Sequence, residues 1–184
     1  MVSDMDLSGR TIGIIAGQGF GDSQIVEAAQ ILRQRGAKVL VIGIGEVEAV
    51  AIAGRQGSLL KPDVVVGKVS AGDLDAVYIP GGDAVARLSS DERVLTLLLE
   101  MNSLNKPISA SCSGAAVVAA SGLISGKRVT GTPGVKDTLE KAGAIYLSQG
   151  VVVDHNIVTA QSEDDIPHFI DAVSFFLEPA TTLS

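Results

Sequence analysis

The sequence is short of the residues that most often announce chemistry. It has one cysteine, two histidines and no tryptophan among 184 residues, and aromatics make up 3%. A lone cysteine closes no internal disulfide, which fits a reducing compartment. Neither His155 nor His168 stands at metal-ligand spacing from Cys112 or from the other, so no metal site is expected. Basic residues are also scarce: 14 Lys and Arg against 21 Asp and Glu leave a net charge of −7, with no clustered basic run. Phosphate backbones and anionic membranes both demand such clusters, so neither nucleic acid nor a membrane is an expected partner. No stretch approaches the roughly 18 apolar residues of a membrane span. The most apolar segment, 115–124, is broken by Ser121 and Gly122. The opening MVSDMDLSGR carries acids where a secretory signal has a basic region and an apolar run. These absences lead to the expectation of a cytoplasmic protein.

What is present is a large aliphatic content, 46% apolar residues, and 21 glycines. Valine, isoleucine, leucine and alanine with glycine-rich turns suit an α/β protein. The run TIGIIA at 11–16 reads as a buried strand, SQIVEAAQILRQRG at 23–36 as a helix stopped by Gly36, and KVLVIGI at 38–44 as a second strand. Strand, helix and strand in so short a span make a βαβ unit and hence a parallel sheet. EAVAIAG at 48–54 and DVVVGKV at 63–69, separated by GRQGSLLKP, predict a small antiparallel excursion. A strand then ends at Pro80-Gly81-Gly82, and a helix over 91–104 starts at the cap Asp91. The strand PISAS at 107–111 leads through Cys112 into a small-residue helix ending near Ser121. A short strand near Thr130, a helix over 134–142, a hairpin turning at 154–156 and a final helix over 164–178 complete the chain. With no repeat or linker, it reads as one doubly wound domain over 1–184, its core spanning about 11–178.

Such sheets bind ligands beyond the carboxyl ends of their strands. Three glycine-bearing segments fall there: GQGFGD at 17–22, IPGGD at 79–83 and SASCSG at 109–114. The first is not a dinucleotide fingerprint, because its sixth place is Asp22, a carboxylate that would repel a pyrophosphate; no cofactor is expected. The third puts Cys112 at a strand-to-helix turn, the shape of a nucleophile elbow. A side chain there faces the crevice, and the helix N-terminus is expected to lower the thiol pKa. Backbone N–H groups of Gly81, Gly82 and Ser113 are candidates to cradle an oxyanion. Asp22, Asp83 and Thr132 are expected to line the crevice, the two carboxylates as possible acids.

The order IPGG, helix, SCSG, ASGLISGKRVTGTPGVKDTLEKAGA and VVVDHNIVTAQSEDDIPHF resembles the ThiJ/PfpI superfamily, most closely its PfpI-type branch, over about 11–178. The resemblance implies a flavodoxin-like sheet with helices on both faces, as in class I glutamine amidotransferases, and a homodimer or larger assembly. It assigns Cys112 as the reactive cysteine and Gly81 and Gly82 as the oxyanion-side glycines. Members include intracellular proteases, glyoxalases, deglycases and proteins of oxidative stress. The chain departs from the pattern at the partners. Gln24 stands where members carry a glutamate, Ser113 where the PfpI-type proteases carry a histidine, Ala86 at their acid, and Thr132 near a histidine of other branches. Glutamine keeps a donor, its NH₂, but cannot exchange a proton at neutral pH. Three readings follow: a cysteine-dependent hydrolase or lyase on a small carbonyl or amide-type substrate; a non-catalytic redox sensor or ligand-binding protein; and, third, an intracellular peptidase.

Overall fold

The structure, a computed structural model, describes residues 5–47 and 50–178. The chain begins with β1 (Thr11–Ala16), α1 (Asp22–Gln34) and β2 (Lys38–Gly43). A hairpin follows, β3 (Ile52–Ala53) and β4 (Leu59–Leu60), then β5 (Val64–Val65) and β6 (Ala76–Ile79). Next come α2 (Val85–Ser90), α3 (Glu92–Ser103), β7 (Ile108–Ser111) and α4 (Ala115–Ala120). The pair β8 (Arg128–Val129) and β9 (Ile145–Tyr146) flanks α5 (Lys136–Lys141). The hairpin β10 (Val151–Asp154) and β11 (Ile157–Ala160) precedes α6 (Ile166–Leu177).

The main sheet has the strand order β10-β11-β7-β6-β1-β2-β5, and only its β10–β11 pair is antiparallel. From β1 the chain first proceeds outward to β2 and β5, then returns to β6 on the other side. That reversal places the topological switch point between β1 and β6, where an open α/β sheet forms its crevice.

Strand alternation sorts the side chains into two cores. Ile15, Val77, Ile79, Ile108 and Ala110 join α2, α3, α4 and α5 on one face. Ile12, Ile14, Ala16, Ala76 and Tyr78 join α1 and α6 on the other. In α1 the buried positions Ile25, Ala28, Ala29 and Leu32 form the stripe that packs on the sheet. Arg35 ties the end of this helix to α6, donating to Ser174 at 2.8 Å and pairing with Asp171 at 2.5 Å. Asp91 caps α3 by accepting from the Arg93 N–H at 2.9 Å, as expected of it.

The excursion at 47–70 differs from the expectation. β3 falls within the expected first strand, but its antiparallel partner is β4, inside the supposed connector, whereas Val64 and Val65 join the main sheet parallel to β2. The alternation in VVV could not choose between these partners; the free edge of β2 did. Glu48 and Ala49, at the start of the expected first strand, lie outside the described residues. The sequence reading also passed over α2, a single six-residue helix between Gly82 and Asp91.

Candidate functional site

The carboxyl ends of β1, β6 and β7 meet through backbone hydrogen bonds between their loops. The Gly21 N–H donates to the Gly81 carbonyl at 2.9 Å, and the Asp83 N–H donates to the Gly19 carbonyl at 2.8 Å. The Thr132 N–H donates to the Cys112 carbonyl at 3.2 Å. GQGFGD, IPGGD, SASCSG and the loop at Thr132 therefore meet at one end of the sheet.

Cys112 sits at the crossing from β7 to α4 with φ +53°. A non-glycine residue in the left-handed region costs on the order of 1–3 kcal/mol and persists where its surroundings over-determine it. The turn is pressed onto the β6 loop so closely that a Cβ on Gly81 would lie 2.7 Å from Ser113 Oγ and 3.2 Å from Cys112 Cβ. The following glycine, Gly82, has φ +129°, and a Cβ there would collide with the Gly19 carbonyl. Only glycine at both positions lets the two loops meet.

Gln24 enters from the first turn of α1 and is 4% exposed. Its Oε1 accepts from the Gly81 N–H at 2.8 Å and from Ser111 Oγ at 2.6 Å. Ser111 Oγ lies 2.6 Å from the Tyr78 hydroxyl. Tyr78 and Ser111 are fully buried on the α1 side of the sheet. Ser113 Oγ accepts from the Gly82 N–H at 3.1 Å.

These bonds revise the expected oxyanion cradle. The Gly81 N–H is committed to Gln24, and the Gly82 N–H to Ser113. Among the described residues, the Gln24 NH₂ and the Ser113 hydroxyl proton donate to no acceptor. The Ser113 N–H is the second amide of the 3-10 turn 112–114, where the first amides of a helical turn lack intrahelical acceptors.

The expected acids are placed elsewhere. Asp22 is buried, but its carboxylate accepts the N–H groups of Gln56 at 2.8 Å and Ser58 at 2.9 Å, anchoring the β3–β4 hairpin. Those bonds, the Gln56 amide first, hold its pKa below the ordinary carboxylate value, so it keeps no proton to give at neutral pH. Asp83 is exposed and pairs with Arg55 at 2.8 Å. Ala86 lies exposed on α2. Thr132 adjoins Cys112 through its backbone. His155 and His168 are surface residues beside Asp154 and Asp171.

The sequence reading missed the charge that does reach the cysteine. Ala160, the last residue of β11, pairs in register with Ser111, so the 3-10 turn Glu163–Asp165 follows at the same end of the sheet as Cys112. Asp165 is occupied by the Ser162 N–H at 3.0 Å and hydroxyl at 2.6 Å. Glu163 is exposed and takes no hydrogen bond or ion pair among the described residues. Burial, then the charges of Glu163 and Asp165, push the Cys112 thiol up to about 11, against a smaller opposing influence of the Ser111 hydroxyl. This corrects the expectation of a lowered thiol pKa. The α4 that follows has only six residues, and its dipole does not offset desolvation beside two carboxylates. The strand-end rule applied to QSEDD would have found Glu163; no sequence signal singled out Ser111 or Tyr78.

Among the described residues, no helix is long and apolar enough to cross a membrane. Residues 10–174 match the model of the DJ-1/PfpI family. An uncharacterised protein of Archaeoglobus fulgidus is 32% identical over 157 residues, covering 85% of this chain and 91% of that one. A protein named as a deglycase from Pyrococcus horikoshii is 30% identical over 147 residues, covering 80% and 87%. The crystal structure of Drosophila melanogaster DJ-1beta superimposes with a TM-score of 0.84 at 27% identity, covering 92% of this chain and 90% of that one. With this match running from before β1 to within α6, the chain belongs to the DJ-1/PfpI family.

Proposed function

We propose that the protein is a cysteine-dependent enzyme acting on a small carbonyl or amide-type substrate, with Cys112 as nucleophile. The observation that carries this reading is the φ of +53° at Cys112, held where three strand ends converge. Strain of this kind collects at sites that need a side chain presented outward. The name deglycase borne by a relative supports a carbonyl-adduct substrate.

The chemistry must begin from a neutral thiol. With a pKa of about 11, only about one Cys112 in ten thousand is ionised at pH 7. Sγ therefore attacks the carbonyl carbon as its proton passes to a carboxylate, and Glu163 is the unoccupied one. The S–C bond forms, and the C=O π pair moves onto oxygen, where the Gln24 NH₂ and the Ser113 hydroxyl donate to it. With an amide, collapse of this adduct breaks the C–N bond, and the departing amine takes the proton back from Glu163. Water then hydrolyses the thioester, releasing the acid and the free thiol. With an aldehyde the same addition gives a hemithioacetal. The redox-sensor reading is disfavoured by the same pKa, because peroxide oxidises the thiolate. Replacement of the protease histidine by Ser113 and of its acid by Ala86 disfavours the peptidase.

The test compares wild type with Cys112→Ala on methylglyoxal and on a small anilide. Loss of turnover in the variant is expected. Equal turnover in both proteins, or none by wild type on either probe, overturns the proposal.

A further inference from the structure

One backbone donor fixes the direction of the buried polar chain beneath Cys112. The Gly81 N–H can only donate, so the Gln24 atom 2.8 Å from it is the amide oxygen, not the nitrogen. Ser111 Oγ, 2.6 Å from that same oxygen, must then donate its proton to it. Having spent its proton, Ser111 can only accept from the Tyr78 hydroxyl 2.6 Å away. Tyr78 is a stable end for this chain, since burial raises its pKa far above neutrality and keeps the phenol protonated. The order Tyr78 O–H to Ser111 O–H to Gln24 Oε1, with Gly81 N–H joining at the same oxygen, follows from the shortest of these contacts; the Tyr78 hydroxyl also lies 3.4 Å from the Gln24 backbone carbonyl.

The consequence falls on the other end of the amide. The Gln24 nitrogen is packed against Gly21, near enough that a Cβ there would collide with it. It makes no hydrogen bond among the described residues. The one sealed side-chain polar atom without a partner among those residues is Thr130 Oγ1. The Gln24 nitrogen is therefore unpartnered yet not sealed, on a residue 4% exposed whose amide oxygen is held by Gly81 and by Ser111, the residue before Cys112. Two donors pulling on the oxygen also polarise the amide, which strengthens its N–H groups as donors.

We propose that Tyr78 and Ser111 are positioning residues that pin the Gln24 amide so that its NH₂ donates to an oxygen of the substrate at Cys112. The site then selects a reacting group that presents a negative or developing-negative oxygen, and does so with a donor that does not titrate. The inference rests on the reading of Cys112 as the nucleophile, but its structural half stands apart from turnover.

The experiment follows the Gln24 side-chain amide by ¹H–¹⁵N NMR in the full chain, assigned by its loss in Gln24→Met. Kinetics on methylglyoxal run alongside. Ser111→Ala removes the central hydroxyl, and Tyr78→Phe keeps the ring and removes the outer one. Both are expected to shift the Gln24 resonances. Ser111→Ala is expected to lower kcat by about 10- to 100-fold with little change in KM, the signature of an interaction made in the transition state. Folded variants with unmoved Gln24 resonances overturn the relay, as does an unchanged kcat in Ser111→Ala beside an inactive Cys112→Ala. If Cys112→Ala is as active as wild type, the nucleophile reading fails, and the resonances alone decide the relay. Tyr78→Phe carries the test if Ser111→Ala does not fold.

Discussion

A nucleophile that begins as a neutral thiol has a measurable consequence in its pH–reactivity curve. An unperturbed cysteine titrates near 8.5, whereas burial beside Glu163 and Asp165 pushes Cys112 up to about 11. The thiolate fraction at pH 7 then falls by about 300-fold relative to a free cysteine. A more basic thiolate is also a better nucleophile, which returns roughly tenfold on a Brønsted slope of about 0.4–0.5. The net expectation is alkylation by iodoacetamide about 20- to 30-fold slower than that of an unstructured cysteine peptide at pH 7. The rate should keep climbing past pH 10, measured by intact mass at timed quench. Glu163→Gln separates the two roles given to that carboxylate. Removing its charge should lower the thiol pKa and speed alkylation at pH 7, yet slow turnover by removing the proton acceptor. A midpoint below about 8.5 in wild type, or a Glu163→Gln variant that alkylates no faster, refutes the electrostatic reasoning.

Four further outcomes follow. The raised Cys112 pKa favours the folded state while the thiol is protonated, so this contribution is complete below the unfolded value near 8.5 and is lost as pH rises toward 11; urea unfolding should show wild type losing stability over that window while Cys112→Ser does not. Asp22 has the opposite sign: its pKa is lowered, so its contribution is present above the ordinary value of 3.8 and is lost as pH falls, and hydrogen exchange should show the β3–β4 hairpin loosening first in acid and already loose at pH 7 in Asp22→Asn. Gly82→Ala should cost at least about 1–3 kcal/mol in thermal or chemical unfolding, because φ +129° and the Gly19 carbonyl both exclude a Cβ. Gln24→Glu should keep the Gly81 and Ser111 bonds but introduce a titration, so activity measured against pH should fall as the new carboxyl ionises, where wild type continues to rise.

Much of the framework was legible because it rests on local pattern. Uninterrupted β-branched runs mark strands buried on both faces, which is what 11–16 and 38–43 are. Gly36 stops a helix, and Asp91 starts one, through bonds each makes with its own neighbours. The hairpin turn at His155, with φ +53°, and the amphipathic stripe of α6 are equally short-range. The excursion at 47–70 was misassigned because a two-residue strand carries no information about which edge it joins. The site divided along the same line. Cys112 was found from a strand-to-helix turn rich in small residues and Gly81 from its place at a strand end, whereas Gln24 was singled out only by the resemblance to the family pattern.

The sequence by itself determined the alternating sheet, the convergence of three glycine loops and the identity of the nucleophile candidate, because each follows from neighbours within a turn or a strand. Only the tertiary structure decided the state of that cysteine. Its pKa depends on burial and on carboxylates some fifty residues away, brought near by the register of Ala160 with Ser111. It likewise decided that Asp22 and Asp83 serve the loops, and that Tyr78, Ser111 and Gln24 form one chain. A hydrogen bond spanning 87 residues, as between Ser111 and Gln24, has no local signature. It exists because strand alternation turns Ser111 toward α1 while parallel pairing sets the ends of β1, β6 and β7 at one level.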